Sequence, residues 1–235
     1  MSDILTLATV QTVDGHSVDL SYMRRLQEFA SASSAWARLI KDTPSFWTKA
    51  SNEYPPPLLR QTLSRSKGNM LDVRVSSRIV DTTPADLFVS LASNHIGRWR
   101  SVDIYEGGRN SPMIQTLCSA AAPALETLRL ACEMHGQKVG TLFCGKADLL
   151  RDVHINRLCI PWDTDILKGL VSLKLEDVGE MGPTFDQLLD ILSASPGLTT
   201  LYLNNLYVSN EIEDLNTNGI YRQPGFLELP LLRTL

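Results

Sequence analysis

Apolar residues return along this chain in one short spacing, Leu-x-x-Leu-x-Leu, which occurs seven times. The four clearest copies are Leu125/Leu128/Leu130, Leu150/Val153/Ile155/Leu158, Leu170/Leu173/Leu175/Val178 and Leu198/Leu201/Leu203/Leu206. The looser copies are Trp99/Val102/Ile104, Gly68/Leu71/Val73 and, at the end of the sequence, Leu232/Leu235. Apolar and polar positions alternate within each copy, as in a half-buried strand. The recurrence predicts an array in which each unit buries its apolar face against the next.

The distance between successive copies predicts the kind of array. The first positions of the copies are separated by 31, 26, 25, 20, 28 and 34 residues, which scatter around the about 20–29 residues of a leucine-rich repeat. We therefore predict an α/β leucine-rich-repeat solenoid, a curved array of strand-helix units. The usual asparagine or cysteine ladder is not kept, since Leu158, Val178 and Leu206 stand near its place. The last copy lacks a polar capping unit, which predicts an array that is incomplete at its C-terminal end or covered there by a partner.

The stretches between the predicted strands have helix-opening residues. Thr83-Pro84, Ser111-Pro112 and Thr184 each stand at the start of an apolar stretch, where a cap or an N1 proline favours a helix. A short helix over Leu58 to Lys67 is predicted to end at Gly68.

The N-terminal part has a different pattern. Apolar residues at helical spacing predict one amphipathic helix from Val18 to Lys41, and Pro44 ends it. The turn-rich stretch from Asn52 to Pro57 then predicts a connector. We therefore predict a helical segment over residues 1–57 and the repeat array over residues 58–235.

Composition and charge narrow the function classes. The chain is 43% hydrophobic and 20% charged, which predicts an ordered globular protein. Its net charge of -4 argues against a nucleic-acid partner, which would need a basic face. No apolar run is long enough for a membrane span, and the start of the sequence does not resemble a secretory signal. We therefore predict a cytoplasmic or nuclear protein with no membrane partner and with reduced cysteines.

One segment has the spacing of a phosphate-binding loop. Residues Gly140 to Ala147 fit G-x-x-x-x-G-K, in which Lys146 would reach the terminal phosphates of a nucleotide. Ala147 stands where the magnesium-coordinating hydroxyl belongs, and Leu142 and Phe143 are bulky for a tight loop. A turn between two repeats is the favoured interpretation, and a nucleotide-hydrolysing enzyme is the last alternative.

The cysteines and histidines are too far apart in sequence for a structural zinc site. Successive cysteines are separated by 14, 12 and 15 residues, and only Cys132 and His135 form a tight pair. The four histidines show no H-E-x-x-H motif, and there is no G-x-S-x-G elbow. We therefore predict a protein that is not an enzyme and uses no metal and no cofactor.

A family resemblance rests on residues 35–47. The stretch AWARLIKDTPSFW, from Ala35 to Trp47, resembles the closing helix of an F-box in the F-box/leucine-rich-repeat proteins of mushroom-forming fungi. Two further stretches, Ile160 to Leu173 and Pro196 to Leu206, are similar to segments of the repeats in that family. The opening Leu-Pro-x-Glu of an F-box is absent from Met1 to Leu20, so the box is degenerate and incomplete at its N-terminus.

The resemblance implies a function as well as a fold. It implies a non-catalytic substrate-recognition subunit of a cullin–RING ubiquitin ligase, with a Skp-type adaptor on the F-box remnant and an unknown substrate protein on the repeats. The adaptor contacts it implies are Trp36, Leu39, Ile40 and Trp47. From the residues alone, Trp36 and Trp47 either pack the helix onto the first repeat or dock a partner. The alternative function is a stand-alone binding scaffold, or a degenerate paralogue with no link to ubiquitin ligation.

Overall fold

A computed structural model describes residues 18–76, 83–106, 112–134, 137–206 and 231–234, with side chains from residue 21 onward. The predicted single helix over Val18 to Lys41 is wrong, because the chain forms two helices, α1 (Val18–Ala32) and α2 (Ser34–Asp42). Ser33 separates them with extended backbone at φ -164° and ψ 156°. Its hydroxyl oxygen accepts a hydrogen bond from the Trp36 amide at 3.2 Å, so Ser33 caps α2 and ends α1.

Four further α-helices lie between the strands in the described ranges. They are α3 (Pro56–Arg65), α4 (Ala85–Ala92), α5 (Pro112–Ser119) and α6 (Phe185–Ser193). The predicted helices after Thr83-Pro84, Ser111-Pro112 and Thr184 are therefore confirmed. Thr184 forms a capping box, in which its hydroxyl accepts from the Gln187 amide at 3.2 Å and its own amide donates to the Gln187 side chain at 2.9 Å.

The strands form a seven-stranded parallel sheet and a two-stranded pair. In chain order the strands are β1 (Lys49–Ser51), β2 (Leu71–Ser76), β3 (Trp99–Glu106), β4 (Thr127–Cys132), β5 (Gln137–Lys138), β6 (Asp152–Asn156), β7 (Leu158–Cys159), β8 (Ser172–Gly179) and β9 (Thr200–Leu206). The large sheet has the order β1-β2-β3-β4-β6-β8-β9, and every neighbouring pair is parallel. The predicted α/β class is confirmed, and six of the seven copies coincide with strands, namely β2, β3, β4, β6, β8 and β9.

The strand pairing corrects the first copy of the apolar spacing. Leu71 lies opposite Trp99, and Val73 lies opposite Val102, with a register shift after Leu71. The first position of this copy is therefore Leu71 and not Gly68. The sequence spacing does not show this pairing, because a bulge gives β3 one extra residue between the two paired positions. The sheet also begins earlier than the repeats, since β1 pairs with β2 before the Asn52–Pro57 connector is reached.

The same backbone contact recurs where successive strands begin. The carbonyl oxygen of the residue just before one strand accepts hydrogen bonds from two consecutive backbone amides at the start of the next strand, at 2.8–3.2 Å. The accepting residues are Glu126, Arg151, Val171 and Thr199. The last of these contacts brings Thr234 beside Thr200 as a parallel bridge, and Leu232 packs against the core. Residues 232–234 thus continue the pattern predicted for the seventh copy, whose Leu235 lies outside the described residues.

Near the ends of three strands, the residue at the same position has left-handed backbone dihedral angles. Arg157, Asp177 and Asn205 follow the starts of β6, β8 and β9 by five positions and have φ of 59°, 51° and 49°. Their side chains form a ladder, with Arg157 Nη2 at 3.1 Å from Asp177 Oδ2 and Asn205 Nδ2 donating to Asp177 Oδ1 at 3.0 Å. The sequence pattern placed only leucine and valine here. Leu158 and Val178, one position later, are buried as predicted, and the polar ladder precedes them.

Replacing Asp177 by alanine is expected to lower the free energy of unfolding by about 1–2 kcal/mol. The change removes the shared acceptor of the ladder, and alanine tolerates positive φ less well than aspartate does. Urea denaturation would measure the loss. Asp177→Asn is the control, because it keeps an acceptor and a side chain that tolerates this backbone, and it should lose less. An unchanged urea midpoint for Asp177→Ala would contradict a stabilising ladder.

The N-terminal helices are packed onto the first strands through aromatic residues. Trp47 is 5% exposed and its indole N–H donates to the Ile40 carbonyl at 2.7 Å. The Arg65 guanidinium from α3 lies 4.5 Å from the centre of the Trp47 ring. The Tyr22 hydroxyl donates to the Phe46 carbonyl at 3.1 Å, and burial raises the pKa of Tyr22 to about 12. The helices and the sheet therefore share one core.

Candidate functional site

The strands of the large sheet bury one face and leave the other accessible. Alternate residues such as Val102, Leu128, Val153 and Leu173 are buried with the helices in a single core. The residues between them form what we call the open face, which is polar. It includes Ala131 between Tyr105 and Asn156, and the polar residues Asp72, Arg74, Ser101, Asp103, Tyr105, Thr127, Arg129, Asp152, His154, Asn156, Ser172, Lys174, Glu176, Thr200, Tyr202 and Asn204.

The strand register aligns these side chains into rows that cross the sheet. The row through the middle of the open face joins six strands, and we call it the middle row. It consists of Arg74, Asp103, Arg129, His154, Lys174 and Tyr202. Neighbouring strands lie about 4.8 Å apart, so successive side chains of a row are within reach of each other. The middle row carries three fixed cationic side chains on a chain whose net charge is -4.

The charges of the middle row are paired at one end. Arg74 Nε lies 3.9 Å from Asp103 Oδ2, which neutralises the part of the row on β2 and β3. In the adjacent row, Arg100 binds both carboxylate oxygens of Asp72, at 2.8 and 2.9 Å. The positive charge that is left on the open face is therefore concentrated farther along, at Arg129 and Lys174.

A depression of about 500 Å³ lies over strands β4, β6 and β8 of the open face. Arg129, His154 and Lys174 line it from the middle row, and Asp152 and the hydroxyl of Ser172 line it from the adjacent row. Its volume is in the range of about 300–1,000 Å³ that is common for ligand sites. The lining offers cations, hydroxyl groups and one carboxylate, which is a lining for polar recognition.

His154 stands in the centre of the depression between opposing charges. Its Nε2 lies 3.2 Å from Glu176 Oε1, and Asn156 Nδ2 donates to the other oxygen of Glu176 at 2.9 Å. Burial lowers the pKa of His154 below its ordinary value, the neighbouring Lys174 and Arg129 lower it further, and Glu176 opposes them. The lowered pKa favours the neutral imidazole, whose Nε2 lies beside Glu176.

Of the four adaptor contacts that the F-box resemblance implies, two are buried and two are half-buried. Ile40 and Trp47 are 3% and 5% exposed and line a shallow cleft of about 190 Å³ among α1, α2 and α3. Trp36 and Leu39 lie outside that cleft and are half-buried. The Trp36 ring is 6.3 Å from the Phe29 ring of α1 at an angle of 45°. Trp36 and Leu39 are thus the accessible members of the set.

The segment with phosphate-loop spacing is part of the core. Residues Leu142–Gly145 form one 3₁₀ turn, and Leu142 and Phe143 are buried. Phe143 and Cys144 have φ of 53° and 51°, so the chain reverses here without forming a wrapped loop at a helix start. The predicted turn is confirmed, and it lies between β5 and β6.

The side chains of the depression could be found in the sequence only in part. Lys174 follows from the alternation within its copy. Arg129, His154 and Lys174 each occupy the position four residues after the first leucine of a copy. That shared position is the signal that places them in one row.

Within the described part of the chain, no cluster of three or more histidine, cysteine or acidic side chains could hold a metal ion. None of the helices in the same ranges is long and apolar enough to cross a membrane. Comparison with protein-family models, with curated proteins and with solved structures finds no match for this chain.

Proposed function

We propose that this chain is a non-catalytic protein-interaction subunit built on a leucine-rich-repeat solenoid, and that the open face binds a partner protein. The observation that carries the proposal is the polar open face, which presents aligned side chains from successive parallel strands. The recurring strand entrances and the left-handed strand exits support a repeat architecture. Arrays of this kind present extended binding surfaces, because each unit adds one strand to the same face.

We further propose that the N-terminal helices bind a Skp-type adaptor, which would make the chain a substrate-recognition subunit of a cullin–RING ubiquitin ligase. The resemblance of residues 35–47 to an F-box supports this, and Trp36 and Leu39 supply partly exposed apolar surface on α2. An amphipathic helix that lays such residues into a groove is a common mode of partner binding.

The stand-alone scaffold is the second candidate. The burial of Ile40 and Trp47 favours it, because two of the four residues expected to contact an adaptor pack inside the chain itself. In that case the resemblance would reflect a packing role for the helix, and the open face would be the sole partner surface proposed.

Capture of a purified Skp-type adaptor on the immobilised chain separates the two candidates. We expect the wild type to retain the adaptor and the double variant Trp36→Ala, Leu39→Ala to lose at least about tenfold in affinity, the size expected for losing apolar anchors. The matched control is Lys174→Ser on the open face, which should retain the adaptor. A folded wild-type chain that captures no adaptor would remove the ligase proposal and leave the scaffold.

A further inference from the structure

Two cations of the middle row have no ion-pair partner among the residues that the structure describes. Arg129 is exposed and Lys174 is half-buried, and neither lies within salt-bridge distance of a described carboxylate. The other open-face arginine, Arg74, is paired with Asp103. The depression therefore holds two cations that no described carboxylate neutralises by direct contact, beside the carboxylates of Asp152 and Glu176.

The register sets how these two cations are arranged. Arg129 lies opposite His154 on one side, and Lys174 lies opposite it on the other. With about 4.8 Å between strands, their backbones are about 10 Å apart. Both side chains are long enough to converge on one anion above the imidazole, whose side chain is 32% exposed. The hydroxyl groups of Ser172 and Thr200 border the same space.

We propose that this depression binds an acidic segment of the partner protein, with an aspartate or glutamate side chain held between Arg129 and Lys174. The inference rests on the proposed partner-binding function and names the chemical class of the partner segment. An arginine fork matches the two oxygens of a carboxylate, and a lysine adds a point charge from the opposite side.

The neighbouring charges favour a carboxylate over a phosphate group. Asp152 lines the depression, and Glu176 lies beside it in contact with His154. These two acidic side chains would repel a doubly charged phosphate more strongly than a singly charged carboxylate. Asp152 also provides an acceptor for a backbone N–H of the bound segment, as an extended peptide would present.

The middle row ends in an aromatic side chain on the far side of the cations. Tyr202 lies opposite Lys174 in register and is 40% exposed. An exposed tyrosine offers a flat apolar surface with a polar tip, which suits a peptide side chain next to the acidic residue. The segment therefore crosses the strands from β4 towards β9.

Binding is expected to strengthen as the pH falls. His154 faces Arg129 from β4 and both Lys174 and Glu176 from β8, and in the free protein its pKa lies below the ordinary value. A carboxylate held between the two cations offsets their repulsion and raises the pKa of His154. The complex then binds a proton more readily than the free chain does, so affinity increases as the pH is lowered towards the pKa of the free protein.

The test uses pools of short peptides with random flanks and one fixed central residue, which is glutamate, glutamine or phosphoserine. Fluorescence anisotropy with the full chain is expected to show at least about tenfold tighter binding of the glutamate pool than of the glutamine pool, the size of a charged hydrogen bond. Arg129→Ser and Lys174→Ser should each remove this preference. Arg60→Ser removes the same charge from an exposed position on α3 and should keep it. Thermal melts check that every variant is folded.

Each contrary result has a distinct meaning. Equal binding of the three pools, or a glutamate preference that survives both open-face variants, overturns the site. A phosphoserine pool that binds more tightly than the glutamate pool overturns the carboxylate assignment. Pools that bind equally well to the wild type, and more weakly to a Tyr202→Ala variant of the middle row, would keep the open face as a partner surface and refute this inference alone. His154→Gln should abolish the gain in glutamate affinity as the pH is lowered from neutrality towards the pKa of the free protein, and an unchanged gain would refute the role of His154.

Discussion

Replacement of Leu173 by aspartate is expected to unfold the protein. Leu173 is 0% exposed on β8 and lies in register between Val153 and Leu201, so the carboxylate would lie among apolar side chains with no partner. Burial of an unpaired charge costs several kcal/mol at least, and a domain of this size has about 5–15 kcal/mol of stability in total. Circular dichroism at room temperature should show loss of the folded spectrum or a melting temperature lowered by more than ten degrees or so.

The matched control lies one residue away on the same strand. Lys174→Asp introduces the same side chain on the open face, where it remains in contact with water. We expect its melting curve to stay close to that of the wild type while its binding to acidic peptides is lost. Equal stability of the Leu173→Asp and Lys174→Asp variants would contradict the assignment of the two faces of the sheet. The pair thus tests the core and the candidate site with one substitution type.

Alternation of apolar and polar residues was sufficient to predict the strands, because each strand buries one face against helices. The strands around Leu128, Val153, Leu173 and Leu201 lie where the pattern placed them, and these equivalent positions of successive copies pair with each other. The pattern gave the wrong first position for the copy that contains Leu71, because a bulge between β2 and β3 shifts the pairing of these strands by one residue. It also missed β1, because three residues are too few to show a period of two.

The break between α1 and α2 could not be predicted from apolar spacing. The apolar positions of the two helices continue in nearly the same phase across Ser33, so a single amphipathic helix fits them equally well. The break depends on a local competition, in which a serine side chain binds a backbone amide and ends the helix before it.

From the sequence it was possible to predict which face of the sheet carries the candidate site, but not which side chains come together there. The alternation within one copy shows that Lys174 points away from the core. The convergence of Arg129, His154 and Lys174 needs three strands in register, which lie 25 and 20 residues apart in sequence. Ion pairing adds a further requirement, because only the structure shows that Arg74 is paired with Asp103 whereas Arg129 and Lys174 lie within salt-bridge distance of no described carboxylate.

The second large effect is expected at Trp47, where alanine should destabilise the protein by about 3–5 kcal/mol. The change removes a buried ring, its hydrogen bond to the Ile40 carbonyl and the surface on which the Arg65 guanidinium lies. Since these contacts attach α2 to α3 and the first strands, the amides of α1 and α2 should exchange with solvent faster than those of β6 and β8. Urea denaturation and hydrogen exchange would measure the two effects.

Two variants separate the parts of the Trp47 contribution. Trp47→Phe keeps most of the ring packing and loses the indole N–H, so it should cost about 1 kcal/mol. Trp36→Ala removes the same residue type from a half-buried position on α2, where the ring lies beside Phe29. It should lower the free energy of unfolding far less than Trp47→Ala does. If Trp36→Ala and Trp47→Ala proved equally destabilising, the assignment of Trp47 to the core and of Trp36 to an accessible surface would be wrong. A large loss at Trp47 alone means that adaptor-binding defects of Trp47 variants report unfolding, so Trp36 and Leu39 are the residues with which adaptor contact has to be tested.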